Sequence, residues 1–288
     1  MAVRMNRREI MAVGVGAAAL VGLGVQASDD PPKGRLKQSV SRWCFGGLSL
    51  EDLCKAAREM GLVGVDLLGE SDWPALRPYG LICTMATAIG TIPDGWNRTE
   101  NHDALVRDAE ALIPKAAAAG VPNIVTFSGN RRGLADEAGI EHSVAGLKRI
   151  AATAEKHRVT VCLELLNSKR THPDYQADHT RWGVEVCRRI GSERIKLLYD
   201  IFHMQIMEGD LCDTIRENIQ WIGHVHTGGV PGRAEIDGSQ EIHYPRVCRA
   251  LVDAGYTGYV AHEFVPKRDP LRSLREAVAI CTVQGSDG

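Results

Sequence analysis

From Ser39 onward the chain alternates short apolar runs with longer stretches whose apolar positions recur at helical spacing. The apolar runs are SVSRWCF (39–45), LVGVDLL (62–68), LICTMA (81–86), NIVTFS (123–128), VTVCLELL (159–166), RIKLLYD (194–200), WIGHVHTG (221–228) and GYVAHEF (258–264). Short, apolar strands separated by helices belong to a parallel sheet covered on its faces. The helical pattern predicts helices over 50–61, 101–119, 139–157, 177–190, 208–219, 243–254 and 270–283. Eight strands, each followed by a helix or helix-like segment, predict an α/β domain of the (β/α)8 TIM barrel type, whose usual length is about 250 residues. An open doubly wound sheet is the competing arrangement. It needs fewer strands, and no Gly-rich phosphate loop follows the first one.

The N-terminus does not belong to this pattern. Arg7-Arg8 precede an apolar run from Ile10 to Val25 that exits through Val25-Gln26-Ala27. That run is short for a membrane span and right for a signal-peptide core. The paired arginines and the Gly/Ala-rich core predict a twin-arginine export signal over 1–27, although Asn6 and Ala12 stand where the usual motif has Ser or Thr and Lys. The expected mature chain is one catalytic barrel over 28–288 in a periplasmic or extracytoplasmic compartment; an uncleaved membrane anchor is the alternative. Eight cysteines are scattered without a CxxC pair, mostly on apolar strands and helix faces, and read as core filler. Export of an already folded chain reconciles that cytoplasm-style pattern with an export signal.

Residues at the C-terminal ends of barrel strands face the active-site mouth. Those positions hold Glu164 in CLELLNSK, Asp200 in LYDIFHMQ, His226 in HVHTGG and Glu263 in AHEFVP, spaced 36, 26 and 37 residues apart, close to one βα unit each. Three carboxylates converging in a low-dielectric cleft would be driven to protonate without a counter-charge. A divalent cation supplies it, and oxygen-rich ligation with one imidazole suits Mn²⁺ or Mg²⁺, with Co²⁺, Fe²⁺ or Zn²⁺ as competitors. His224 lies on the same strand face as His226, so either imidazole could be the ligand, with the other behind it. His203, three residues past Asp200, is expected near the same cation with its ring toward substrate oxygen.

The segments LELLNSK, LYDIFHMQIMEGD, GHVHTGGVPGRAEIDGSQEIHYP and GYVAHEFVP resemble the hydroxypyruvate isomerase family, within the xylose isomerase-like barrel superfamily that includes ketose 3-epimerases. The resemblance covers most of 40–275 and is most specific from Glu164 onward. It implies one divalent metal bound by Glu164, Asp200, His226 and Glu263, with Glu164 and Glu263 also the proton-transfer pair and His203 and Arg233 holding substrate oxygens. Hydroxypyruvate isomerases often carry Gln where His226 stands, whereas His is more typical of the sugar epimerases. The expected partner is therefore a small hydroxy-carbonyl or sugar substrate, isomerised or epimerised through an enediolate. Such chemistry needs charge stabilisation by a metal and a flanking acid and base, which this constellation offers.

Other readings fit less well. Endonucleases acting on abasic DNA share the barrel and use a trinuclear zinc cluster. The early strand ends Asp66-Leu67, Ala86-Thr87 and Ser128-Gly129 offer no histidine, and 34 Lys+Arg against 36 Asp+Glu create no field that attracts nucleic acid. A non-catalytic sugar- or metal-binding barrel is disfavoured by the presence of both glutamates, and a homo-oligomer is left open. HPDYQADH (172–179) reads as a surface loop whose His172, Asp174 or His179 could contact ligand. Trp43 and Trp96 divide equally between pocket wall and core, and Lys169 has no clear placement.

Overall fold

The computed structural model describes residues 36–283. The export-signal reading of residues 1–27 lies outside the described residues. Eight strands, β1 (Lys37–Ser41), β2 (Gly64–Leu68), β3 (Ile82–Ile89), β4 (Asn123–Thr126), β5 (Thr160–Glu164), β6 (Ile195–Asp200), β7 (Ile222–Thr227) and β8 (Tyr259–His262), pair in parallel in chain order. The barrel closes where β8 pairs with β1, Ser39 opposite Ala261. The expected (β/α)8 barrel is the observed one. All five residues of β5 are buried, as an apolar strand between barrel interior and helix layer must be.

The helices are α1 (Leu50–Glu59), α2 (His102–Ala119), α3 (Asp136–His157), α4 (Thr180–Ile190), α5 (Ile201–Met207), α6 (Leu211–Asn218), α7 (Tyr244–Asp253) and α8 (Pro270–Cys281). Side-chain caps fix several starts: Ser49 accepts from Asp52 N and Asp269 from Arg272 N, contacts of a kind worth about 1 kcal/mol each.

Local details depart from or refine the pattern. The first apolar run is strand only to Ser41. Arg42–Phe45 form a 3-10 turn, held by Arg42 Nη1 and Nη2 donating to Phe45 O (2.8 Å) and Leu48 O (2.9 Å), which carries Trp43 off the sheet. After β2 the crossover is a 3-10 segment, Trp73–Tyr79, where Pro74 and Pro78 withhold the N–H groups an α-helix needs. The helix predicted over 208–219 is α6; the short α5 before it was not expected, and the two are separated where Gly209 (φ 68°) and Asp210 (φ 44°) turn left-handed.

Candidate metal centre

Four strand ends build the site. Glu164 closes β5, Asp200 closes β6, His226 is paired with Asp200 across the β6–β7 ladder, and Glu263 follows β8 with its N–H on Thr227 O at 3.1 Å. One potential ligand atom from each of the four lies within 4.8 Å of every other, and all four residues are buried. His226 Nδ1 stands 2.5 Å from Glu263 Oε2, 3.7 Å from Glu164 Oε1 and 3.9 Å from Asp200 Oδ2, yet it meets none of them at a hydrogen-bonding angle. A buried imidazole nitrogen without a partner, aimed into three carboxylates, is a donor set that fits a divalent cation.

The electrostatics point the same way. Burial lifts the Glu164 carboxyl to about 7, against the pull of His226 and with the push of Glu263. Burial also raises Asp200, more than the Arg233 charge brings it down. Glu263 runs the other way: burial would raise it, but Arg233, His226 and the Trp43 indole hold it well below the usual carboxylate range. On His226, burial favours the neutral ring, but Glu263, Asp66 and Glu164 outweigh it and hold the ring's affinity for a proton well above normal. The same carboxylates that could ligate a cation thus hold a proton in its place, the behaviour of a site built for positive charge.

Above the four lies a layer of donors. Arg233 Nη2 reaches Asp200 Oδ2 at 2.6 Å and also donates to Glu263 Oε2, while its guanidinium lies 4.8 Å from the Phe202 ring centre. The loop sets this pose, with Arg233 at φ 54° beside Gly232 at φ 88° and its carbonyl accepting from Val265 N at 2.7 Å. Asn167 N donates to His203 Nδ1 at 3.1 Å, which leaves the ring proton on Nε2. Arg233 Nη1 stands 2.9 Å from Nε2 of the same ring, so the guanidinium and the imidazole border one gap. His203 is kept neutral by burial and by the nearby Arg233 charge, which lower its pKa well below the ordinary value.

The cluster floors a cavity of about 1120 Å³, walled by Trp43, Phe127, Leu166, Phe202 and Val230 among others. Trp43 is half exposed there and donates its Nε1–H to Glu263 Oε1 at 2.5 Å, whereas Trp96 is buried in the core on Thr126 Oγ1 at 2.6 Å. Of the 172–179 loop only His172 lines the cavity, its ring 5.3 Å from that of His203; Asp174 caps Arg132 N and His179 pairs with Asp178. Lys169 lines the rim but spends its ammonium on Ile206 O and Met207 O at the end of α5. His224 stands behind His226, its Nε2 2.7 Å from Asp66 Oδ2 and away from the four-residue cluster.

Three contributors escaped the sequence reading. Asp66, in the middle of β2, is fully buried against both histidines of β7. Its signal was a lone carboxylate inside the apolar run LVGVDLL. Asn167 fixes His203, and nothing in its spacing marks it. The indole contact from Trp43 to Glu263 spans 220 positions and has no local signature.

The chain matches the family described as xylose isomerase-like TIM barrel over residues 54–282. A human protein provisionally named hydroxypyruvate isomerase is 31% identical over 78% of this chain and 78% of its own length. A 2-oxo-tetronate isomerase of Pectobacterium atrosepticum is 28% identical over 77% of this chain and 89% of its own. Among solved structures, an AP endonuclease, family 2, from Brucella melitensis superposes with a TM-score of 0.73 at 24% identity, covering 84% of this chain and 97% of that one, a likeness of fold.

Proposed function

Because the chain belongs to the xylose isomerase-like TIM barrel family, we propose that it is a metal-dependent isomerase of a small hydroxy-carbonyl compound. The supporting observation is the unpartnered His226 Nδ1 aimed at Glu164, Asp200 and Glu263 on the floor of an open cavity. Relatives named for hydroxypyruvate and for 2-oxo-tetronate make a short 2-keto acid with a neighbouring hydroxyl the favoured substrate. Epimerisation of a ketose is the second reading, favoured by His226 in the imidazole position.

The four residues Glu164, Asp200, His226 and Glu263 would hold a divalent cation, Mn²⁺ or Mg²⁺ by their chemistry. Such an ion supplies Lewis acidity worth several kcal/mol against the negative charge that develops on the substrate oxygens. Glu164 and Glu263 approach one point from β5 and β8. One carboxylate takes the proton from carbon and the other returns a proton at the neighbouring atom, each acid–base role worth roughly 10²–10⁴-fold. His203 and Arg233 border one gap, where a substrate hydroxyl or carbonyl oxygen would accept from the guanidinium. Trp43, Phe127 and Phe202 shield that gap from bulk water.

Elemental analysis paired with solvent-deuterium exchange on hydroxypyruvate and a ketose panel tests this. One divalent ion per chain and deuterium entering beside the carbonyl are expected, with exchange cut by roughly 10²–10⁴-fold in Glu164→Gln and Glu263→Gln. Full exchange in either variant removes that glutamate from the proton path, and a protein that takes up no ion after Mn²⁺ reconstitution defeats the metal reading.

A further inference from the structure

Asp66 sits on the side of His226 away from the cavity, completely buried. Both of its oxygens are saturated by donors from other strands. Oδ1 accepts from Ser39 Oγ of β1 at 3.1 Å and from Thr84 Oγ1 of β3, and Oδ2 accepts from His224 Nε2 at 2.7 Å and His226 Nε2 at 3.0 Å. The backbone is bent to this end. The β2–β3 register shifts on both sides of Asp66, between Val65 and Asp66 and again between Asp66 and Leu68, and Leu67 is held at φ 58°. A bulky residue in that left-handed region is strained, and bulges beside sites commonly re-aim a side chain.

We propose that Asp66 is a positioning residue that fixes the proton of His226 on Nε2 and thereby turns the Nδ1 lone pair toward Glu164, Asp200 and Glu263. The inference rests on the reading of those four as a cation site. An imidazole whose Nε2–H is spent on a carboxylate has only Nδ1 left to ligate, and that is the nitrogen found without a partner. Asp66, His224 and His226 also come close enough to form a metal group of their own. Their facing atoms are already joined by hydrogen bonds, with both Asp66 oxygens doubly occupied, so the network is complete without an ion. His224 shares Oδ2 with His226 and packs edge-on against it, ring centres 5.2 Å apart and planes at 88°, which locks the ring orientation.

Asp66→Asn is the decisive variant, because its amide keeps the shape but turns one oxygen into a donor. Mn²⁺ affinity measured by calorimetry should fall about 10–100-fold, the usual effect of losing an outer partner of a ligating histidine. The visible spectrum of the Co²⁺-loaded protein should change as well, while circular dichroism of the metal-free protein does not. Nitrogen NMR of histidine-labelled wild-type protein loaded with Zn²⁺ reads the same point without any substitution, and should show His226 with its proton on Nε2. Unchanged affinity and Co²⁺ spectrum in Asp66→Asn overturn the positioning role, as does a proton on Nδ1 in the wild type. A second Co²⁺ equivalent in the wild type that Asp66→Asn loses would instead make Asp66 a ligand and overturn it too. Wild-type protein that binds no ion removes the cation site itself, and this inference with it, an outcome distinct from ions bound equally well with and without Asp66.

Discussion

Asp200 uses its two oxygens for different ends. Oδ1 accepts the His203 N–H at 3.1 Å and caps α5, while Oδ2 faces Arg233 and the cluster. The ordinary reading of a strand-end aspartate as a helix cap and the functional reading as a ligand are therefore both met by one side chain. The two roles separate on substitution. Asn caps a helix as well as Asp does, so Asp200→Asn should keep α5 and the fold as judged by circular dichroism. Its amide is a poor cation ligand, and Mn²⁺ affinity should drop by at least the ~10–100-fold typical of outer partners. Unchanged metal occupancy would take Asp200 out of the ligand set. The four strand-end residues could be found in the sequence because the barrel repeats, delivering one position per βα unit to the same rim. Asp66 was passed over although it is a carboxylate set inside an apolar run. Its meaning lies in which ring it faces across the barrel, and neither the β2 register shifts nor the pairing with His226 leaves a trace in local composition.

At the level of elements, the strands were legible because a run buried on both sides has no alternation to confuse it with surface. The segments that position the site were less so. IFHMQIM carries no charge beyond its histidine and follows a strand directly, so α5 lacks the amphipathic stripe by which α1 or α7 is seen. WPALRPY has a helix's apolar content but its prolines restrict it to a 3-10 coil. The loop presenting Arg233 has no periodicity at all. Its shape depends on Glu235, buried, whose Oε1 accepts from Lys267 N (2.9 Å), Arg268 N (3.1 Å) and Ser273 Oγ (3.0 Å) and so ties this loop to the start of α8. Gly229 must pass close to the Glu235 carbonyl, leaving no room for a Cβ. Glu235→Ala strands those donors at a cost of about 1–3 kcal/mol. The melting temperature should fall about 2–4 °C for each kcal/mol lost, and trypsin should gain access to the bond after Arg233, whose side chain is only 13% exposed in the folded protein. An unchanged melting point and digestion pattern would show that the loop holds its shape without Glu235.

Across the whole molecule, the cysteines and the N-terminal arginines bear on a single question of where the chain folds. All eight thiols are free, seven of them buried, and only Cys212 is partly exposed. Burial pushes the Cys83 and Cys187 thiols up to about 12, far from the thiolate form that oxidants and alkylating agents attack. Cys248 and Cys281 are neighbours where α7 meets α8, and both are fully buried. A chain that folded in an oxidising compartment would pass through states in which this pair and others are open to oxidation. One that folds in a reducing compartment and crosses the membrane afterwards shields its thiols first. We therefore propose that residues 1–27 act as a twin-arginine signal carrying the folded barrel outward. Protein recovered from the periplasm should begin near Ser28, and Arg7→Lys together with Arg8→Lys should leave it in the cytoplasm. Iodoacetamide at pH 8 should modify mainly Cys212 in the folded exported protein and all eight cysteines once it is denatured without reductant. Export that survives the double arginine substitution would refute the signal, whereas a Cys248–Cys281 disulfide in the exported protein would show that the barrel closes after crossing, not before.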